Sequence, residues 1–300
     1  MIEKLKELDK KLKSKFFFDF NMSKYTWFQA GGNAKAFCIA DNENELKLIL
    51  RTVEGENFEI IGAGSNLLIR DGGFNGLIIK LGKSFNKLFI ENDKLIAGAS
   101  ILDVNLSRFA LVNSIKNFEF FSGIPGTIGG AIKMNAGCFD GQTKDVIYSI
   151  RAINSKGEII EIKKEDLNLS YRYSDFQKNV IISSASFIIQ EGSKSEIENK
   201  IYKIKKIRKE SQPIQSKTSG STFKNPKDKY AAELIDLAGC KNMNIGDVFV
   251  SNKHANFLIN TNNATATQIE DLGKLIIEKV YNKFNILLEW EVKIIGNYWK

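Results

Sequence analysis

The chain has 300 residues, 43% hydrophobic and 26% charged, with a formal net charge of +8. That length fits two domains or one large one, and the balance is ordinary for a soluble globular chain with a sizeable core. Cys38, Cys138 and Cys240 are odd in number and widely spaced, with no CxxC pair and a single histidine, which argues against a disulfide framework or a zinc site. There is no signal-peptide core and no run of about 18 apolar residues, so neither secretion nor a membrane span is expected.

In chain order, residues 2–16 place Ile2, Leu5, Leu8, Leu12 and Phe16 near helical spacing, predicting a short amphipathic helix. Residues 25–39 read as strand, glycine turn and strand. A helix over 41–53 follows, with an N-cap at its start and apolar positions Leu46, Ile49 and Leu50. Strands are predicted at 58–61, 66–69, 76–81 and 95–99, then a helix at 102–112. A hairpin joins 146–153 to 158–162, and 180–190 is a further strand. Isoleucines 197, 201, 204 and 207 line one face of a helix over 196–209 whose lysines form a solvated basic face. Tyr202 is the single aromatic residue there and no nucleic-acid motif appears, so nucleic acid is not an expected partner, although the positive charge favours anionic ligands. Beyond a boundary near 192–212 come a helix at 229–238, a β segment at 248–260, a helix at 265–284 and a closing strand at 286–295. The pattern is α+β, without regular βαβ alternation.

Residues 120–137 (FFSGIPGTIGGAIKMNAG) are dense in glycine and carry one ionisable side chain, Lys133. Such a segment is read as useful through its backbone: convergent N–H groups replace the water around a diphosphate without adding bulk. Gly62-Ala63-Gly64-Ser65, after a predicted strand, is a second example. Neither matches GxGxxG, because Leu67 stands where a glycine is needed, and there is no Gly-Lys-Ser/Thr. Two amide-rich loops point to a large phosphate-bearing cofactor.

An ordered set of motifs then carries a resemblance over nearly the whole chain. It comprises Thr26-Trp27 with Gly31-Gly32; Gly62-Ala63-Gly64-Ser65-Asn66-Leu67-Leu68; Gly123-Ile124-Pro125-Gly126-Thr127-Ile128-Gly129-Gly130; Asn135-Ala136-Gly137; and Tyr171-Arg172-Tyr173-Ser174. Gly220-Ser221-Thr222-Phe223-Lys224-Asn225-Pro226, Lys253-His254-Ala255-Asn256-Phe257 and Leu288-Glu289-Trp290-Glu291-Val292-Lys293 complete it. The set resembles the UDP-N-acetylenolpyruvoylglucosamine reductase (UDP-N-acetylmuramate dehydrogenase) family, in its short branch without the extra substrate-covering loop. Trp290 stands where proline is more usual and Lys293 where arginine is more usual.

The resemblance implies a two-lobed FAD-binding domain of the vanillyl-alcohol-oxidase type plus a smaller α+β substrate domain. The corresponding division is an N-terminal helix at 1–19, a flavin domain at 20–195 (lobes about 20–80 and 81–195) and a substrate domain at 208–300. It implies FAD as cofactor, NADPH as co-substrate and UDP-N-acetylglucosamine enolpyruvate as substrate, in the cytoplasm, with no obligate protein partner. The cofactor-binding residues it implies are Gly62, Ala63, Gly64, Ser65, Asn66, Leu67, Gly123, Ile124, Pro125, Gly126, Thr127, Gly129, Gly130, Asn135, Ala136 and Gly137. The wider-fold alternative is another flavin oxidase or dehydrogenase, separable by turnover of that substrate with NADPH. A non-enzymatic nucleotide binder would purify colourless.

Hydride addition to C3 of the enolpyruvyl ether pushes charge onto C2 and the neighbouring carboxylate, so the site needs a cation and a proton aimed at C2. Arg172 supplies the cation, held by Tyr171 and Tyr173. Ser219, Ser221 and Thr222 are all available hydroxyls, and the resemblance selects Ser221. Period 2 puts Glu289 and Glu291 on one strand face, roughly 6–7 Å apart; the motif points to Glu291, with Glu289 as the alternative. Lys224 and Asn225 are candidate contacts to the uridine diphosphate or the carboxylate. His254 is expected to have a structural hydrogen-bonding role.

Overall fold

The computed structural model describes residues 1–175 and 180–299. The chain divides into two compact units. Unit 1 holds Met1–Phe18, Ala36–Ala63 and Gly76–Ile207; unit 2 holds Asp19–Lys35, Gly64–Asn75 and Arg208–Lys300.

Unit 1 contains a five-stranded antiparallel sheet ordered Ile159–Lys163, Ile147–Ile153, Ile181–Ile188, Lys94–Gly98, Leu88–Glu91. A four-stranded sheet is ordered Lys15–Asn21, Asn33–Ala40, Phe74–Leu81, Phe58–Ile61. Its last two strands run parallel, with Phe58 opposite Leu77, which delivers the chain directly to Gly62. Alternate residues of these strands enter one core with Phe118, Phe121 and Phe187, whose rings meet edge to face and stacked. Each such side chain contributes about 1.5–3 kcal/mol on burial.

Several expectations are corrected here. The N-terminal helix spans only Ile2–Asp9, and Lys15–Asn21 is a strand. The cause is Glu45, whose carboxylate accepts from Lys13 N at 3.1 Å, Ser14 N at 2.7 Å and Ser14 Oγ at 2.6 Å and so draws the chain out of the helix. Helix Glu43–Thr52 has its N-cap at Asn42, whose Oδ1 accepts from Glu45 N at 3.0 Å. The first strand predicted within 25–39 is absent; residues 22–25 form a 3₁₀ turn instead.

Residues 120–137 are not one loop. Glu119–Gly123 is a 3₁₀ turn and Ile128–Lys133 a short helix. Phe120, Phe121, Ile128, Ala131, Ile132 and Ala136 are all buried, so the segment does pack through side chains. Its lack of charge reflects that burial.

Unit 2 has its own core, in which helix Ala266–Phe284 packs Ile269, Leu272, Ile276 and Val280 against Leu234, Val248, Val250, Leu258 and Phe223. Thr265 and Gln268 form a reciprocal capping box at its start, and Asn285 ends it in the left-handed region at φ +55°. Asp71 adds a second cap, accepting from Ala266 N at 2.9 Å and Thr267 N at 2.8 Å. Arg70 forks onto the buried Glu270 at 2.9 and 3.1 Å, and Tyr298 donates to the same carboxylate at 2.7 Å. Burial alone would raise the Glu270 pKa, but these partners hold it below the usual value.

The predicted β segment at 248–260 is two short strands, Val248–Val250 and Leu258–Asn260, joined by a loop that carries His254. Of the predicted closing strand only Lys293–Ile295 is regular, pairing parallel with Leu67–Ile69. Trp290 makes an isolated antiparallel bridge with Phe223. Among the described residues no helix is long and apolar enough to cross a membrane.

Candidate active site

In unit 1 the two glycine-rich segments meet. A Cβ on Gly62 would lie 2.3 Å from Thr127 Oγ1, so only glycine lets the first turn approach the second this closely. The amides of Gly62 and Ala63 in unit 1, and of Gly64 and Ser65 in unit 2, donate to no backbone carbonyl among the described residues. Gly64 has φ +71°, and a Cβ there would sit 1.8 Å from Tyr25 O. Lys80 donates from Nζ to Gly62 O at 2.8 Å, which brings a cation to the first turn. Burial pushes the Lys80 pKa down. No pattern in the sequence marked Lys80; the parallel strand pair puts it there.

The second segment spends its amides differently. Ile124 N donates to Phe121 O at 3.2 Å, Ile128 N to Ile101 O at 2.9 Å and Gly129 N to Ala99 O at 2.9 Å. Gly126 and Thr127 donate to no carbonyl among the described residues. Gly129 works by close approach, its Cβ position lying 3.1 Å from Ala99 Cβ. Within unit 1, the amides of Gly62, Ala63, Gly126 and Thr127 with the nearby Lys80 ammonium suit a diphosphate, so the residues fit an FAD cofactor.

Arg172 is tied to the same segment. It stands in the two-residue turn between Leu169–Ser170 and Tyr173–Ser174, at φ +52°, a conformation that costs a non-glycine residue of order 1–3 kcal/mol. Its Nη2 donates to Gly137 O at 2.8 Å and its guanidinium lies 5.1 Å from the Tyr171 ring centroid. Ser174 Oγ donates to Lys133 O. Asn135, at φ +44° and buried, donates to Ser170 O at 2.9 Å and Gln142 Oε1 at 3.0 Å and accepts from Lys144 N at 2.9 Å. Its side chain therefore braces the arginine turn.

In unit 2, Ser221 is half-buried and its hydroxyl makes no hydrogen bond to protein among the described residues. Gly220 before it has φ +77°, and a Cβ there would meet nothing within 4 Å. The glycine thus serves the left-handed backbone, and the space beside it is open. The competing hydroxyls of Ser219 and Thr222 are buried without partners among the described residues, as is Thr218 Oγ1.

Beyond Ser221 the chain runs antiparallel to the C-terminal segment: Glu291 N donates to Thr222 O at 2.9 Å and Lys224 N to Glu289 O at 2.8 Å. Ser221 and Glu291 therefore lie on neighbouring extended segments. Asn66 Nδ2 donates to Glu291 O at 2.9 Å. The two glutamates differ sharply: Glu289 is 72% exposed and paired with Lys224 Nζ at 3.2 Å, whereas Glu291 is half-buried. Asn225 Oδ1 accepts from Ala231 N at 3.0 Å, at the start of helix Ala231–Leu237.

His254 Nδ1 is buried without a partner among the described residues, its ring set edge-on to Phe257 at 4.6 Å, and burial lowers its pKa. The structural hydrogen-bonding role expected of this residue is not seen at Nδ1 among the described residues.

Comparison with known proteins finds two family matches along the chain. Residues 34–163 match the FAD binding domain family, and residues 212–295 match the C-terminal domain of UDP-N-acetylenolpyruvoylglucosamine reductase. The reductase of that name from Pelagibacter ubique is 43% identical over 299 residues, covering 98% of this chain and 99% of that protein. The one from Rickettsia conorii is 41% identical over 93% of this chain and 95% of its own length. The crystal structure of the Thermus caldophilus reductase superposes with a TM-score of 0.82 at 28% identity, covering 94% of this chain and 98% of that one. An α+β FAD-binding domain joined to this C-terminal domain, with near-full-length identity above 40%, makes the chain a member of the UDP-N-acetylenolpyruvoylglucosamine reductase family.

Proposed function

We propose that this protein reduces the enolpyruvyl double bond of UDP-N-acetylglucosamine enolpyruvate to give UDP-N-acetylmuramate, a step in peptidoglycan precursor synthesis, using NADPH and FAD. The observation that carries this reading is the Ser221 hydroxyl, which makes no hydrogen bond to protein among the described residues, on a segment hydrogen-bonded alongside Glu291. The matches at 34–163 and 212–295 support a flavin part at about 20–195 and a substrate part at about 208–300. Both reactants are soluble nucleotides, which fits a cytoplasmic reaction.

The bound flavin supplies the hydride that reaches C3 of the substrate. The chain's own residues do the rest. The amides of Gly62, Ala63, Gly126 and Thr127 would hold the diphosphate of the cofactor, with Lys80 adding charge. Arg172 holds the substrate carboxylate as charge develops beside it; its head is already fixed by Gly137 O and Tyr171. Ser221 donates a proton to C2. A serine hydroxyl is a weak acid, but the carbon it faces is strongly basic, so aim decides the rate. Glu291 polarises the developing enolate. Lys224 and Asn225 contact the uridine diphosphate or the sugar carboxylate.

The test separates the half-reactions. In Ser221→Ala, flavin bleaching by NADPH stays near the wild-type rate. Reoxidation by UDP-N-acetylglucosamine enolpyruvate slows by about 10²–10⁴, the range for loss of a positioned proton donor. Normal speed in both halves removes Ser221 from the mechanism.

A further inference from the structure

The loop at 251–257 closes on itself. Ser251 N donates to Phe257 O at 2.9 Å, Phe257 N to His254 O at 3.0 Å, and Ser251 Oγ accepts from Lys253 N at 3.2 Å and His254 N at 3.3 Å. Its inner side presents Asn256, which is 3% exposed.

Three hydrogen bonds run from Asn256 to the two residues after Ser221. Thr222 N donates to Asn256 O at 2.8 Å, Phe223 N donates to Asn256 Oδ1 at 2.9 Å, and Asn256 Nδ2 donates to Phe223 O at 2.8 Å. The side-chain amide offers one acceptor and one donor in a plane, as a neighbouring strand would. The opposite edge is held by Glu291 N on Thr222 O at 2.9 Å. Gly220, on the other side of Ser221, faces open space. The bracing of the serine therefore comes from residues 222–223, and half of it is Asn256.

We propose that Asn256 is a positioning residue of the reaction, fixing the aim of the Ser221 hydroxyl. This rests on the reading of Ser221 as proton donor. Removing the side-chain amide leaves Thr222 N on Asn256 O but takes the partners from Phe223 N and O, and the hydroxyl drifts. A misplacement of about 1 Å costs on the order of 100-fold in a step that depends on alignment.

The experiment uses the full-length, FAD-loaded protein. In Asn256→Leu, bleaching by NADPH stays within about threefold of wild type, while reoxidation by UDP-N-acetylglucosamine enolpyruvate slows about 100-fold with a larger solvent deuterium effect. In Asn256→Asp the carboxyl keeps both bonds when protonated and loses the donor when ionised, so reoxidation recovers as pH falls. This second variant decides the matter if the leucine variant fails to fold.

Asn260→Asp is the control. Asn260 is equally buried but donates to Phe28 O at 2.7 Å, so its substitution leaves the ratio of the two half-reactions and their pH profile unchanged. In a Ser221→Ala background, Asn256→Leu adds no further slowing. Equal slowing of both half-reactions, unchanged reoxidation, or no acid recovery in Asn256→Asp overturns the proposal. If Ser221→Ala itself reoxidises at wild-type speed, the serine assignment fails instead, and the two failures are distinguishable.

Discussion

Gly62 and Thr127 in unit 1 approach so closely that a methyl group would not fit between them, whereas Ser221 in unit 2 sits beside a glycine that faces open space. Around the first pair, the polar side chains are committed to protein: Lys80 to Gly62 O, Asn135 to three partners, Arg172 to Gly137 O. Around the second, the backbone is clamped on both edges while the hydroxyl makes no bond to protein among the described residues. The contrast follows from the tasks proposed for them. A cofactor that stays needs a rigid wall of amides and a fixed cation. A proton donor needs a rigid backbone and a free O–H, because a hydroxyl already bonded to protein would have to break that bond first.

The sharpest way to break the comparison is at the two glutamates. Glu291→Gln is expected to slow reoxidation by substrate about 100-fold, the scale of a lost polarising or protonating group, with flavin reduction little changed. Glu289→Gln is expected within about threefold of wild type, since an exposed pair such as Glu289 with Lys224 contributes about 0–1 kcal/mol. Stopped-flow measurement of both half-reactions checks it. The reverse outcome moves the catalytic carboxylate to Glu289.

Next in size is the contact between the glycine segments. Gly62→Ala forces a Cβ to 2.3 Å from Thr127 Oγ1. Overpacking of this kind costs about 1–3 kcal/mol, a factor of roughly 5 to 150 in the Kd for FAD. Thr127→Ala in the same chain removes the clashing atom, so the double variant regains affinity and the pair is non-additive. Fluorescence titration of apoprotein with FAD reads both. Unchanged affinity in Gly62→Ala means that this approach is not part of the cofactor wall.

Much of this was legible in the sequence, for identifiable reasons. Residues 58–61 matched their strand because an apolar run ends at glycine, and helix Ala266–Phe284 was visible in its threefold and fourfold apolar spacing. The positions of the glycine segments and of Arg172, Ser221 and Glu291 came from motifs.

The rest depended on partners distant in the chain. Helix Ile128–Lys133 contains Gly129 and Gly130, poor helix formers, and Ile128 N and Gly129 N are tied to carbonyls at Ile101 and Ala99. The strand at Lys15–Asn21 needed Glu45 to end the helix before it. Glu289 and Glu291 look equivalent in a period-2 pattern; their exposure separates them. Asn256 stood in a motif, yet its partners are residues 222 and 223, and no local pattern encodes that.

The smallest expected effect sharpens the comparison from the side of stability. Asp103 opens helix Asp103–Val112, its amide donating to Gly126 O at 3.1 Å beside the second glycine segment. Its side chain is fully buried and neither carboxyl oxygen has a hydrogen-bond partner among the described residues. Burial pushes its pKa well above the usual 3.8, so the folded protein holds the proton while the unfolded chain gives it up. Stability from this group is full below pH 3.8 and falls as pH rises toward the folded value. Asp103→Asn keeps the shape and removes the ionisation. It is expected to stabilise the protein by about 1 kcal/mol at pH 8, less at pH 5, and to flatten the decline between them. Denaturation at the two pH values measures this. Ser221, left unpartnered where it is half exposed, should show no such gain on substitution, because water satisfies it until substrate arrives. A variant of Asp103 that loses stability at pH 8 would mean that the carboxyl has a partner in solution, and the unpaired groups of the two units would then not be of different kinds.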